Sequence, residues 1–354
     1  MTRVLQAMAG AEFGGAERFF ERLVPALGRA GVEQRVLIRT NRRRAEILRA
    51  GGIEDIHEMA FGGRLDLVSG PTFRRHIREF RPDVVLTWMS RASRLQPSRS
   101  GTGGLPVRVA RLGGYYDLKY YRNCDWLIGD TASVVDHVVA NGWPAERAIH
   151  LANFVEGTPG KAIARRDLYI PERHPLLLAL GRLHPNKGFD VLVRAMALLP
   201  DMYLLLAGEG PERAALDDLA TRLGVKPRIR FLGWRDDVAD LFATADMFVH
   251  PARHEPLGNV VIEAWAHGVA VVAAAADGPR ALIEDGVTGR LVPIDDAEAL
   301  AAAVRANIED AGRTRRMADA GMAVYSARYT EATVVANFVR FFEDVVARCA
   351  ASPA

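Results

Sequence analysis

Cysteine is nearly absent: Cys124 and Cys349 are the only two in 354 residues, far apart and without metal-ligand spacing. That excludes a disulfide framework, gives no indication of a zinc site, and points to a reducing, cytoplasmic setting. No apolar run approaches the roughly 20 residues that a membrane-spanning helix needs. The opening stretch, Met1 to Gly10, is short in apolar residues and interrupted by Gln6, so it is expected to be a first core strand and not a secretory signal. Two phosphate-binding signatures are also missing. Nothing matches the P-loop, and Gly10-Ala-Glu-Phe-Gly-Gly15 lacks the spacing of the dinucleotide fingerprint. No repeat of solenoid period is present.

The chain is long enough for two cores. Its net charge of +3 conceals an imbalance. Residues 1–153 carry 23 Lys and Arg against 16 Asp and Glu, whereas the remainder carries 23 against 27. A basic first half suits an anionic partner, such as a phosphorylated acceptor or a membrane surface, although solvated arginine accounts for it equally well.

Short apolar strands alternate with amphipathic helices along most of the chain. Val4–Met8 leads through a glycine-rich turn to a helix from Ala16 to Leu27. Strands are expected at 35–39, 83–88, 107–111, 126–129 and 149–153, a helix over 71–80, and a loop over 90–106. Residues 156–172 lack any period and are expected to link two domains. The pattern restarts at 175–180 and runs through strands 203–207, 228–232, 247–250, 269–274 and 290–292. Helices are expected at 189–199, 212–223, 236–243, 296–307, 312–325 and 330–348. Such alternation predicts two doubly wound parallel sheets, whose ligands bind at the carboxyl ends of the strands. The expected organisation is a first domain over 1–155, the linker, a second domain over 173–329, and a closing segment, 330–354.

The chemistry-bearing residues all follow strands. His250 to Gly268 holds two glutamates, Glu255 and Glu263, with Pro256 and Gly258 between them, so it reads as strand, tight loop and a helix from about Asn259. The free N–H groups of that helix start form an anion site. A glutamate in a first helical turn is also favoured by the macrodipole alone, by about 0.3–1 kcal/mol. Arg182 and Lys187 share one glycine-bounded loop and can pair with a diphosphate, the first as a fork and the second as a point charge. Glu209 lies in Gly208-Glu-Gly210, and Leu232 with Gly233 could cradle a flat base. Gly14-Gly15 would let the backbone close over a phosphate at the start of the first helix.

In combination these motifs resemble retaining glycosyltransferases of family 4. The resemblance rests on Glu255 and Glu263 with seven residues between, Gly181-Arg-Leu183, Asn186-Lys-Gly188, Gly208-Glu-Gly210, Phe231-Leu-Gly233, and Glu284-Asp-Gly-Val-Thr-Gly289. It covers 175–292 strongly and the first half loosely. It implies the GT-B architecture: two Rossmann-like domains, a cleft between them, and a last helix crossing back to the first domain. It also implies a nucleotide-diphosphate sugar donor and a glycan or glycolipid acceptor in lipopolysaccharide, capsule or exopolysaccharide synthesis, with no cofactor and no metal. By the resemblance Glu263 holds the ribose, Glu255 the transferred sugar, and Arg182 and Lys187 the diphosphate. Gly15, Leu257, Gly258 and Asn259 offer backbone N–H groups to phosphate or sugar.

Two departures stand out. Glu255-Pro-Leu-Gly258 has Leu where the family usually has Phe. The stretch Arg111 to Asp117 lacks the histidine that many members carry there, leaving Tyr115 or Asp117 to face the acceptor side. Arg91, in the basic 91–99 stretch, would meet an anionic and possibly membrane-borne acceptor, with peripheral association at the inner membrane. Two other functions compete: a nucleotide-sugar isomerase or hydrolase of the same fold, and a non-catalytic binding protein.

Overall fold

A computed structural model describes residues 2–12, 14–62, 66–98 and 106–351. The chain divides into two compact units, one built from residues up to Phe154 together with those from Glu331 on, the other from Val155 to Thr330.

In the first unit the strands are β1 (Arg3–Met8), β2 (Glu33–Arg39), β3 (Ile56–Met59), β4 (Val84–Trp88), β5 (Val107–Leu112), β6 (Trp126–Gly129) and β7 (Ala148–His150). The helices between them are α1 (Gly15–Arg29), α2 (Arg42–Ala50), α3 (Ser69–Phe80), α4 (Met89–Ser93) and α5 (Ala132–Ala140). All seven strands are parallel, in the order β3-β2-β1-β4-β5-β6-β7. Parallel strands are covered on both faces, so they read as nearly unbroken apolar runs. One face buries Phe19, Phe20, Leu23 and Leu27 of α1; the other buries Phe73, Ile77 and Phe80 of α3. The α1 face is completed by the last helix of the chain, α13 (Glu331–Ala351), through Phe338, Phe342 and Val345.

The second unit repeats the plan with β8 (Leu176–Leu180), α6 (Phe189–Ala197), β9 (Tyr203–Ala207), α7 (Arg213–Arg222), β10 (Ile229–Gly233), α8 (Val238–Thr244) and β11 (Met247–His250). It continues with α9 (Asn259–Ala266), β12 (Val271–Ala274), α10 (Asp277–Leu282), β13 (Arg290–Val292), α11 (Ala297–Glu309) and α12 (Ala311–Arg328). Its six parallel strands run β10-β9-β8-β11-β12-β13. Both sheets are doubly wound, as the alternation predicts. Strand order reverses between β1 and β4 in the first and between β8 and β11 in the second.

Several local expectations differ. The loop expected over 90–106 begins inside α4, and 99–105 lie outside the described residues. Arg42 to Arg44, just beyond the strand expected at 35–39, open α2, whose start is capped by Asn41 accepting from the Arg44 N–H at 3.0 Å. Only Ala45 and Leu48 give that helix an apolar stripe, too narrow for periodicity to reveal. Helix α5 is capped by Thr131, and β3 is a polar edge strand. Residues 156–172, expected as a linker, are tied along the second unit. Lys161 and Ile163 N–H donate to Asp240 and Thr244, and Arg165 pairs with Asp246 at 2.8 Å.

Phe338 is fully buried beside Phe19 and Phe342. Phe338→Ala should therefore cost about 3–5 kcal/mol, read as a lowered urea midpoint. Arg182→Ala, at an exposed loop position, should leave the midpoint unchanged.

Candidate active site

Reversal of strand order leaves a crevice at the carboxyl ends of the two strands concerned, because their following helices leave on opposite faces. In the second unit those strands are β8 and β11. The β8 loop carries Arg182 and Lys187; the β11 loop carries Glu255. Neighbouring loops lock onto this pair by backbone contact. Gly181 N–H donates to Ala207 O at 3.0 Å, Leu183 N–H to Glu209 O at 2.9 Å, and Gly208 N–H to Gly233 O at 2.7 Å. The approach is closest at Gly208, which has φ +138° and where a methyl group would stand 1.8 Å from Gly181 O. Across the crevice, Arg253 and His254 N–H both donate to Asn186 O at 2.9 and 3.0 Å. The Arg253 side chain grips Asp190 at 2.7 Å and Asp295 at 2.5 Å. Gly278, after β12, donates to Glu255 O at 2.7 Å, and a methyl there would stand 2.6 Å from that oxygen.

At the centre Lys187 Nζ donates to Glu255 Oε2. The buried His250 Nε2 lies 3.4 Å from the same oxygen, and Gly258 N–H reaches Oε1 at 3.3 Å. Burial pushes the Glu255 carboxyl up, but contact with His250 and the Lys187 charge more than offset it and hold the group well below the usual carboxylate range. Glu255 is therefore a fixed anion, and Lys187 keeps two further N–H donors. Arg182 is exposed and makes no ion pair among the described residues, so its fork is free to meet a ligand.

The other donor-side residues line the same edge. Glu209 is exposed, its Oε1 leaning to within 3.6 Å of where a methyl on Gly233 would be. Leu232 and Gly233 are half-buried at the end of β10. Leu257, Gly258 and Asn259 lead into α9, with Gly258 at φ +71° just before its first residue. Glu263 is half-buried in the second turn of that helix. Gly15 belongs to the other unit, where it is the exposed first residue of α1. Among the described residues no group of three or more His, Cys, Asp or Glu could hold a metal ion.

In the first unit the switch point lies between β1 and β4. Arg91 is exposed on α4, directly after β4. Tyr115, 44% exposed, donates to Ser133 Oγ at 3.2 Å and meets the His137 ring edge-on. Asp117 is exposed and occupied locally: it caps a short 3-10 turn and pairs with Lys119 at 2.5 Å. The edge also holds a group that sequence reasoning did not single out. Arg111 is buried, donates to Asn153 Oδ1 at 2.6 Å, and stacks on Phe19 and Trp88. Burial pulls its guanidinium down to about 10 against the pull of Asp130, so it stays charged at neutral pH. Asp130 is 5% exposed, and burial pushes its carboxyl up to about 6 despite Arg111. A single Arg or Asp at a strand end carries no sequence signal for such burial.

A UDP- and glucose-bound Anabaena protein, Alr3699/HepE, superposes with a TM-score of 0.80 at 22% identity, over 97% of this chain and 100% of that one. The fold is thus that of the GT-B glycosyltransferases. Residues 160–323 match the model of the family described as glycosyl transferases group 1. The chain is 40% identical over 311 residues to the lipopolysaccharide core biosynthesis glycosyltransferase LpsE of Rhizobium meliloti, covering 87% of this chain and 89% of that protein. It is 35% identical over 350 residues to LpsD of the same organism, covering 98% and 99%. The chain belongs to the group 1 glycosyltransferases. It is an enzyme of that class, homologous to glycosyltransferases of lipopolysaccharide core biosynthesis.

Two pH-dependent outcomes follow from the carboxyls. Glu255 is depressed in the folded state, so its contribution is complete above the unfolded value of about 4.3 and is lost as pH falls below it. The stability deficit of Glu255→Gln should be undiminished from pH 7.5 to 5 and shrink only below about pH 4. Asp130 has the opposite sign. The native carboxyl keeps its proton to about pH 6, whereas an unfolded Asp loses it near 4. Asp130→Asn should therefore be more stable than the native chain at pH 7.5, by on the order of 2 kcal/mol, and gain nothing near pH 4. Urea midpoints across this range check both.

Proposed function

We propose that this enzyme transfers a hexose-type sugar, with retention of configuration, from a nucleotide-diphosphate sugar to a lipopolysaccharide-core glycolipid or related glycan. The observation that carries the reading is the Lys187–Glu255 pair at the β8/β11 switch point, with Arg182 exposed in the same loop. The two cations bind the donor diphosphate. The anomeric C–O bond breaks, and its electron pair passes to the departing phosphate oxygen, which Arg182 and Lys187 stabilise without reorganisation. The acceptor oxygen bonds to the anomeric carbon on the face the leaving group vacates, and its proton passes to the departing phosphate. Glu255 holds hydroxyls of the transferred sugar and keeps Lys187 in place. Glu263 holds the ribose. Glu209, Leu232 and Gly233 receive the base end, and residues 257–259 supply backbone N–H groups.

No metal takes part in this mechanism, since cationic side chains carry the leaving-group charge. UDP-glucose leads the candidate donors, because the HepE structures contain UDP, glucose and UDP-glucose. The homology to LpsE and LpsD supports a lipopolysaccharide acceptor. No helix among the described residues is long and apolar enough to cross a membrane. Leu67 and Val68 are 85% and 68% exposed just before α3, which displays Arg74, Arg75 and Arg78. This patch supports peripheral contact with an anionic membrane on its cytoplasmic side.

Incubation with a panel of UDP-, GDP- and ADP-sugars should release nucleotide only when a core-glycolipid acceptor is present, giving a product with the donor's anomeric configuration by NMR. Release independent of acceptor would favour the isomerase or hydrolase reading. Arg182→Ala should lower kcat/KM by about ten- to a hundredfold, the worth of one or two charge-assisted bonds, with the urea midpoint unchanged.

A further inference from the structure

The switch point of the first sheet carries a strained and positively charged turn that the donor chemistry does not use. Met89 follows β4 directly and sits at φ +58°, in the left-handed region that a non-glycine residue rarely adopts. Such strain persists only where surrounding structure enforces it, and here a buried network does so. Ser93 Oγ donates to Met89 O at 2.6 Å and contacts Thr87 Oγ1 at 2.9 Å. Gln96 Nε2 donates to Val85 O at 3.1 Å, and Trp88 Nε1 to Gln6 Oε1 at 3.0 Å. The result is a one-turn helix, α4, standing on the end of β4 at the crevice between β1 and β4.

That turn presents like charges. Arg91 and Arg94 are three residues apart and exposed, and neither has a carboxylate partner among the described residues. Neighbouring like charges on a helix repel, so the pair is a small liability unless an anion meets it. The segment after β5 adds to the cluster. Arg94 lies over the Tyr120 ring at 4.3 Å, Lys119 approaches the same ring at 5.0 Å, and Arg122 is exposed nearby. Asn123 Nδ2 donates to Gln96 O at 2.9 Å and ties the two segments together. Tyr115 stands exposed on the same sheet edge.

We propose that Arg91, Arg94 and Arg122, with Tyr115 and Tyr120, form the acceptor subsite, and that the acceptor it selects is an acidic saccharide bearing phosphate or carboxylate near the attacking hydroxyl. Arginine forks match both anions in planar, bidentate geometry. The exposed Tyr115 ring gives the sugar an apolar face with a hydroxyl at its margin, while Tyr120 holds the Arg94 guanidinium. Asp117, already satisfied by Lys119, is a spacer in that segment and not a ligand. The inference rests on the transferase reading for the word acceptor, but the binding it describes can be measured without turnover.

The test is isothermal titration of the full-length enzyme, without donor, with a phosphorylated hexose, a galacturonate trimer, a neutral glucose trimer and inorganic phosphate. Binding of UDP is measured separately. The acidic saccharides should bind at least tenfold more tightly than the neutral trimer and than inorganic phosphate, and weaken as salt is raised. R91Q/R94Q should lose at least tenfold in that affinity, while UDP affinity stays within twofold and Arg222→Gln, an exposed change on α7, has no effect. Equal affinity of R91Q/R94Q and the native chain would overturn the proposal, as would equal affinity for acidic and neutral trimers. Loss of binding to phosphatidylglycerol vesicles, with no binding of soluble acidic saccharides by either protein, would overturn it in favour of a lipid-headgroup surface. If acidic saccharides bind as expected and no transfer is found with any donor, the transferase reading fails and the subsite stands.

Discussion

Backbone closeness at the carboxyl edge of the second sheet is the constraint on which the rest depends. Five strands end there in loops that touch one another through main-chain atoms. Gly208 lies against Gly181 O, and Gly278 against Glu255 O, at separations that leave no room for a β-carbon. Only such closeness brings the short loops after β8 and β11 into register, so that a lysine from one reaches a glutamate from the other. A β-carbon at Gly208 would push the β9 loop from the β8 loop, and the cations would lose their frame.

The Lys187–Glu255 pair shows how an ion pair can be organising without serving chiefly as a source of stability. Its charges are half-buried, and at Glu255 the contacts with His250 and Lys187 outweigh the desolvation cost that burial imposes. The pairing leaves a carboxylate that stays ionised, beside an ammonium with donors to spare and an unpaired guanidinium a few residues away. Positive charge held in place before substrate arrives is what a departing diphosphate requires. The first sheet uses the same topological position differently. There the crevice is framed by the strained turn at Met89 and by exposed arginines, while the buried charges, Arg111 and Asp130, face inward. The basic excess of the first half is thus partly a structural matter. Arg44 and Arg108 are consumed by Glu21 and Asp125, whereas Arg91, Arg94 and Arg122 remain at the edge.

Legibility in the sequence followed physical cause. Strands β9 and β11 were readable to the residue, because strands buried on both faces must be apolar throughout. Helix α2 was not: its first turn is three arginines, and what makes it a helix is the Asn41 cap and an inward Arg44 held by Glu21 and by the Ala11 and Glu12 carbonyls. The loop after β4 was read as irregular because Arg and Ser carry no period, yet buried hydroxyl contacts wind it into α4. Among the site residues, Glu255, Glu263, Arg182 and Lys187 stood out by type and by position after strands. Arg253, which clamps the crevice through Asp190 and Asp295, gave no such sign, since an arginine in a loop is usually solvated.

By itself the sequence determined the alternation, the glycines and the kinds of charge at each strand end, because these follow from local pattern and steric necessity. Which charges meet was decided only in three dimensions. Lys187 and Glu255 are 68 residues apart in the chain and become partners because β11 takes its place beside β8, not beside β10, which precedes it in the chain. The same reversal of order put Arg91 and Arg94 at the crevice of the first sheet. Strand order is a property of how layers pack, and no window of sequence contains it.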